Sequence, residues 1–148
     1  MGSELRGDDA CGILVAREIQ KAFPLCGEQQ KLRVFEGGTV PENLTGEIKR
    51  FNPTHLVIID SVDSGKKPGA IDLFNPEETV GITCSTHRLP LSLMSGYLVK
   101  STGCRIVILG IQPKQIEFGG DVSREVNNSA KKLSGLMIKI LGEWDPAR

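Results

Sequence analysis

The sequence has no excess of either charge: 18 Lys and Arg balance 18 Asp and Glu. A chain without a basic face offers little to the phosphates of nucleic acid or to an anionic membrane. No uninterrupted apolar run approaches the roughly 18–20 residues of a membrane-spanning helix, and the amino terminus lacks the apolar stretch of a secretion signal. A cytoplasmic protein with neither nucleic-acid nor membrane partners is expected. Its four cysteines, Cys11, Cys26, Cys84 and Cys104, form no CxxC pair and have no histidine at zinc-finger spacing. Reduced, structural thiols are expected, since cytosolic chains seldom keep disulfides. GxSxG, HExxH, GxGxxG and a Walker lysine are also absent, which leaves serine-hydrolase, zincin, dinucleotide and P-loop chemistry without an anchor.

What is present alternates. At 148 residues the chain suits one domain, residues 1–148, with no internal repeat or low-complexity linker. A first helix is predicted over 9–23, where Gly12, Val15, Ala16, Ile19 and Phe23 share one face. "KLRVFE" (31–36) reads as a strand, and "PENLTGEIKRF" (41–51) as a short helix with Pro41 in its first turn. "THLVIID" (54–60) is a continuous apolar run, the mark of a strand covered on both faces. "GAIDLF" (69–74) is a weaker strand, 91–100 a helix closed by Gly103, and "CRIVILGI" (104–111) a second buried strand. The tail from 123 to 144 is amphipathic, with Val126, Ala130, Leu133, Met137, Ile140, Leu141 and Trp144 at helical spacing. Strands alternating with helices imply a three-layer α/β domain, a mostly parallel twisted sheet between helices.

In such sheets ligands collect beyond the carboxyl ends of the strands. Three polar groups are expected there: Asp60 after "LVII", His87 in "CSTHRLPLS" before a helix, and Asp9 at the entrance of the first helix. Each has a plainer reading. Asp8 and Asp9 could cap the helix, worth about 1 kcal/mol. Asp60 could be a turn former. His87, like His55, could be a hydrogen-bonded surface imidazole. Taken together, two carboxyl groups and an imidazole at one rim make an open divalent-metal site suited to nickel, zinc or manganese.

"ELRGDDACG", "EGGTVPEN", "THLVIIDSVDSGKKPG", "STHRLPLS" and "ILGIQP" occur in this order. Together they resemble the [NiFe]-hydrogenase maturation endopeptidases, specifically the hydrogenase-3 (formate hydrogenlyase) type, over nearly the whole chain. The resemblance implies a peptidase, grouped with the aspartic-type endopeptidases. Its partner would be the hydrogenase large-subunit precursor, cut after nickel insertion to remove a carboxy-terminal extension. The cut would follow a basic residue just beyond a nickel-ligating CxxC motif of the precursor. Nickel would arrive with that substrate, and a divalent ion could occupy the site in isolation. The resemblance assigns metal binding to Asp9, Asp60 and His87, catalysis to Asp9 and Asp60, and admission of the precursor's tail to Gly37, Gly38 and Thr39. Cys84, three residues before His87, has no evident catalytic pairing.

Three departures accompany the resemblance. Ser3 stands where the family has asparagine, and Glu36 where it has aspartate before "GGT". The apolar strand that usually leads into "GxGN" has no counterpart ahead of Gly2, which is expected to leave backbone groups and apolar side chains without partners. A start-site error or a trimmed chain would each account for that. Two rival functions are a nickel-dependent checkpoint or chaperone that binds the loaded precursor without cutting it, and a phosphate-binding module built on "EGGTVPEN". An acidic rim argues against the second.

Overall fold

The computed structural model describes residues 1–24, 31–79, 83–84 and 90–143. Its element order starts with a 3-10 turn, Gly7–Ala10, that runs into α1 (Cys11–Ala22). A second 3-10 turn, Pro41–Leu44, leads into α2 (Thr45–Phe51), and then come β1 (His55–Asp63) and β2 (Ile71–Phe74). A third 3-10 turn (Pro76–Thr79), β3 (Thr83–Cys84), α3 (Leu91–Thr102), β4 (Arg105–Ile111) and α4 (Arg124–Glu143) complete it.

The strands lie in the order β2-β4-β1-β3. β1 and β4 pair in parallel from His55 opposite Arg105 to Ser61 opposite Ile111. Antiparallel strands flank this ladder: β2 runs against β4 through Ile71–Phe74, and β3 against Val62 and Asp63 of β1. The parallel pair is central because its two strands are the uninterrupted apolar runs, and such runs are stable only when both faces are covered. One core packs α1 and α4 on the sheet through Val15, Ile19, Ile111, Val126 and Leu133. The other packs α2 and α3 on the opposite face through Ile48, Met94, Leu98, Ile58 and Ile108. Three layers result, as the alternating pattern predicts.

Local chemistry sets the helix ends. Pro41 occupies the first turn before α2. Asn52 closes α2 in the left-handed region, φ 51°, donating its N–H to the carbonyls of Ile48 and Lys49. Gly103 closes α3 the same way at φ 73°, its N–H bonded to the Val99 carbonyl.

Several expectations are corrected. Residues 31–36 form no strand; extended propensity is not enough without a neighbouring strand to receive the backbone groups. β1 continues past Asp60 to Asp63, because the polar residues that close it still find ladder partners in β4 and β3. α4 buries Val126, Ala130 and Leu133, whereas Ile140 in the same stripe is 51% exposed. Trp144 and Cys26 lie outside the described residues.

Leu98 is fully buried in the α2/α3 core. Leu98→Ala should lower the unfolding free energy by about 2–5 kcal/mol, the range for opening such a cavity, as read by urea denaturation.

Candidate active site

The 3-10 turn Gly7–Ala10 buries both acidic side chains of the GDD motif, and they diverge. Asp8 holds the loop that follows β4. Its Oδ2 accepts the backbone N–H of Lys114 (2.8 Å) and Gln115 (3.1 Å), and its Oδ1 that of Ser123 (2.6 Å). The Ser123 hydroxyl also donates to Asp8 at 3.0 Å. Asp9 turns the other way, its Oδ2 accepting the N–H of Ser3 at 2.7 Å. Neither residue caps α1, whose N-cap position is Ala10 with no side-chain bond. The capping reading is therefore replaced by tertiary clamping.

Asp60 is fully buried in β1, opposite Gly110 near the end of the parallel ladder. Cys11, the first residue of α1, is fully buried as well. Its pKa is pushed far up, first by burial, then by the negative charge of Asp60, with a smaller contribution from Asp9. Cys11 and Cys104 are both buried and in no disulfide.

Residues 1–3 join the parts. The Met1 ammonium donates to the carbonyl of Ile59, the residue before Asp60. Gly2 donates its N–H to the Gly38 carbonyl at 2.9 Å, which sets the GGT loop beside this strand of chain. Gly2 has φ +116°, and a Cβ there would sit 1.7 Å from the Asp9 carbonyl oxygen, so the approach requires glycine. Arg17 of α1 reaches Glu4 and Glu36, tying both loops to the helix. Asp9, Asp60 and Gly38 are thus gathered at one end of the sheet. His87 lies outside the described residues. His55 is an exposed side chain beside the Thr54 hydroxyl, as its surface reading holds.

A second polar residue, Gln112, had no role in the sequence reading. Its Oε1 accepts the N–H of Ser64 (2.8 Å) and Lys66 (3.2 Å), while its Nε2 donates to Asp63 at 3.0 Å. That donation, helped by the Gly65 N–H, holds the Asp63 carboxyl below its ordinary pKa. Gln112 belongs to "GIQP" and Asp8 to "GDD", so the motifs were the only signal; a clamp between loops leaves no periodicity.

Among the described residues no group of three or more His, Cys, Asp and Glu is placed to hold a metal.

The sequence profile of the HycI family, described as hydrogenase maturation protease, matches residues 13–140. The chain belongs to this family. It is a peptidase. A Methanocaldococcus jannaschii protein named among the hydrogenase maturation proteases is 39% identical over 154 residues, covering 100% of this chain and 89% of its own. The hydrogenase 3 maturation protease of Escherichia coli is 29% identical over 132 residues, 88% of this chain and 81% of that one. The crystal structure of HycI from Thermococcus kodakarensis superposes with a TM-score of 0.85 at 31% identity, covering 96% of this chain and 88% of that one. No helix among the protease's described residues is long and apolar enough to cross a membrane.

Two outcomes test this arrangement. Asp8→Ala removes the acceptor of three backbone N–H groups, each costing about 1–3 kcal/mol if left buried and unpaired. The substitution should lower stability and speed amide exchange at 114, 115 and 123. Cys11, neutral and buried, should resist iodoacetamide in the native protease at pH 8 and react only on unfolding, as peptide mass spectrometry would show.

Proposed function

We propose that the protease removes a carboxy-terminal extension from a [NiFe]-hydrogenase large-subunit precursor, with the nickel carried by that precursor as the recognition element. The observation that carries this reading is the full burial of Asp9 and Asp60, from separate elements that residues 1–3 join to each other and to Gly38. Carboxyl oxygens are hard donors that suit a divalent ion. In a buried setting their attraction for a dication exceeds what solvated groups would supply. An ion already held by the precursor's own ligands needs few more, which fits a site of two carboxyl groups plus His87, the ligand that the family resemblance adds.

Capture of the precursor's metal ties the flexible tail to the protease and turns cleavage into an effectively intramolecular step. Gly38 accepts the N–H of Gly2, whose backbone packs on Asp9, and the loop of Gly37, Gly38 and Thr39 admits the tail; a Cβ on Gly38 would meet nothing within 4 Å, so that side of the loop is open. A water attacks the scissile carbonyl, polarised or activated by the substrate's metal, and Asp9 or Asp60 accepts its proton. The neutral Cys11 is no nucleophile. The fragments leave as a free carboxylate on the mature subunit and a free amine on the released tail.

Asp60→Asn keeps the shape of the side chain and weakens its capture of a cation. The folded variant should lose at least about a hundredfold in processing rate, the low end for removal of a positioned acid–base group. His87→Ala should behave likewise, and His55→Ala should process normally. The assay is mass spectrometry of nickel-loaded precursor before and after mixing. Stable complex formation by the wild-type protease without any mass loss would favour a checkpoint that does not cut.

A further inference from the structure

Two large apolar side chains far apart in sequence are left in water on adjoining turns: Leu5 is 63% and Phe118 79% exposed. The Arg6 N–H closes the first turn on the Ser3 carbonyl at 3.2 Å, which makes Leu5 one of its two central residues. The Gly120 N–H closes the second on the Glu117 carbonyl at 3.1 Å, with Phe118 and Gly119 central and Gly119 at φ 77°. The two turns are bonded to each other, since Gly119 donates its N–H to the Leu5 carbonyl at 2.8 Å. A single exposed apolar side chain is ordinary. Two on turns bonded together form a patch, and phenylalanine is a residue that is either buried or enriched in contact surfaces.

The patch has a rigid mount. Asp8 gathers the N–H groups of Lys114, Gln115 and Ser123, so the loop that carries Phe118 is fixed on both sides of its turn. Gly7, at φ 56°, lets that loop pass close: a Cβ there would stand 3.2 Å from the Gln115 carbonyl oxygen and 3.4 Å from that of Asp121. The turn that carries Leu5 is fastened to Asp9 at both ends. Ser3 donates its N–H to Asp9 Oδ2 at 2.7 Å, and Asp9 donates its own N–H to the Arg6 carbonyl at 3.2 Å. Patch and acid are therefore parts of one bonded unit. Turns clamped in this way cannot fold their tips inward, so the apolar surface is presented ready-made to a partner.

We propose that Leu5 and Phe118 anchor the folded body of the hydrogenase large-subunit precursor, against an apolar patch beside that precursor's metal. The proposal rests on the reading of Asp9 as part of the metal-capturing site. Continuity with Asp9 names the occupant. Whatever covers turn 3–6 abuts a segment bonded at both ends to the acid, and the partner that must approach this acid is the precursor. Arg6 and Glu117, each exposed next to one tip, supply the charged rim of such a contact. A phenylalanine side chain buries about 150–250 Å² and a stable complex about 1,600 Å², so the pair is an anchor within a larger contact. Aromatic anchors of this kind carry a disproportionate share of affinity. The body of the precursor is thus seated by the patch, and its tail is left free to enter at the Gly38 loop.

The test sets the full chain against the double variant Leu5→Ser, Phe118→Ser. Binding to immobilised nickel-loaded precursor is read by surface plasmon resonance, and cleavage by mass spectrometry. The double variant should melt within about 2 °C of the wild type, as substitutions at exposed positions do. Its Kd for the precursor should rise at least about thirtyfold, the size of an interface hot spot. The loss should appear in KM and not in kcat, because seating the body is binding common to ground and transition states. Phe118→Leu should keep most of the affinity. Leu93→Ser, at a comparably exposed leucine of α3, should bind as the wild type does. Wild-type affinity in the double variant, or equal weakening by Leu93→Ser, would overturn the proposal. So would a wild-type dimer that the double variant converts to a monomer, because a second copy would then be the occupant. A wild-type protein that binds through the patch without cutting would uphold the anchor and overturn the peptidase step. One that cuts, with KM unchanged in the double variant, would do the reverse, and one that neither binds nor cuts would overturn both.

Discussion

The parallel ladder between β1 and β4 is the constraint on which the remaining structure depends. Its seven paired positions run from His55–Arg105 to Ser61–Ile111 and divide the apolar residues into two sets. Ile59, Leu109 and Ile111 meet α1 and α4, while Ile58 and Ile108 meet α2 and α3. Because side chains alternate strictly, a slip of one residue would exchange the two cores and bring Asp60 out of its place opposite Gly110. The register that builds the hydrophobic layers is therefore the register that positions the acid.

Around that ladder, polar clamps supply what apolar packing cannot, namely direction. Asp8 and Asp9 are neighbours in sequence, yet one gathers 114, 115 and 123 and the other gathers Ser3. Gln112 gathers the loop after β1 in the same manner. Each clamp buries a polar side chain against backbone N–H groups, a bond whose net contribution is modest and whose loss is costly. Such bonds favour a single loop arrangement over its near alternatives, and that is the requirement of a site assembled from four separate stretches of chain.

Much of this was legible in the residues. The apolar runs at 54–60 and 104–111, the helix closed by Gly103 and the amphipathic tail all correspond to observed elements, because each carries its own local signal. Segment 31–36 did not, although its composition suits a strand: ladder formation depends on a neighbour, and its neighbour is a cavity. The antiparallel partners β2 and β3 are four and two residues long, too short for a reliable alternation. Asp9 and Asp60 were singled out by their places at a helix entrance and a strand end, and both side chains are fully buried. Asp8 passed for a helix cap, since nothing local distinguishes a carboxyl group that bonds to the next turn from one that bonds to a loop a hundred residues later.

The division of labour between Asp8 and Asp9 bears on how the site tolerates two buried acids. Asp8 is engaged by four donors, and its role is complete without a ligand. Asp60 and, to a smaller extent, Asp9 add to the effect of burial in pushing up the pKa of Cys11. Two apolar cores and a set of polar clamps hold that end of the sheet. Residues 1–3 join these parts, Met1 reaching the ladder at Ile59 and Ser3 the acid at Asp9. The bonds of Met1 and Ser3 and the close packing of Gly2 therefore set where Asp9 sits relative to the ladder that carries Asp60, so the glycine at position 2 is a requirement of the site as much as of the turn.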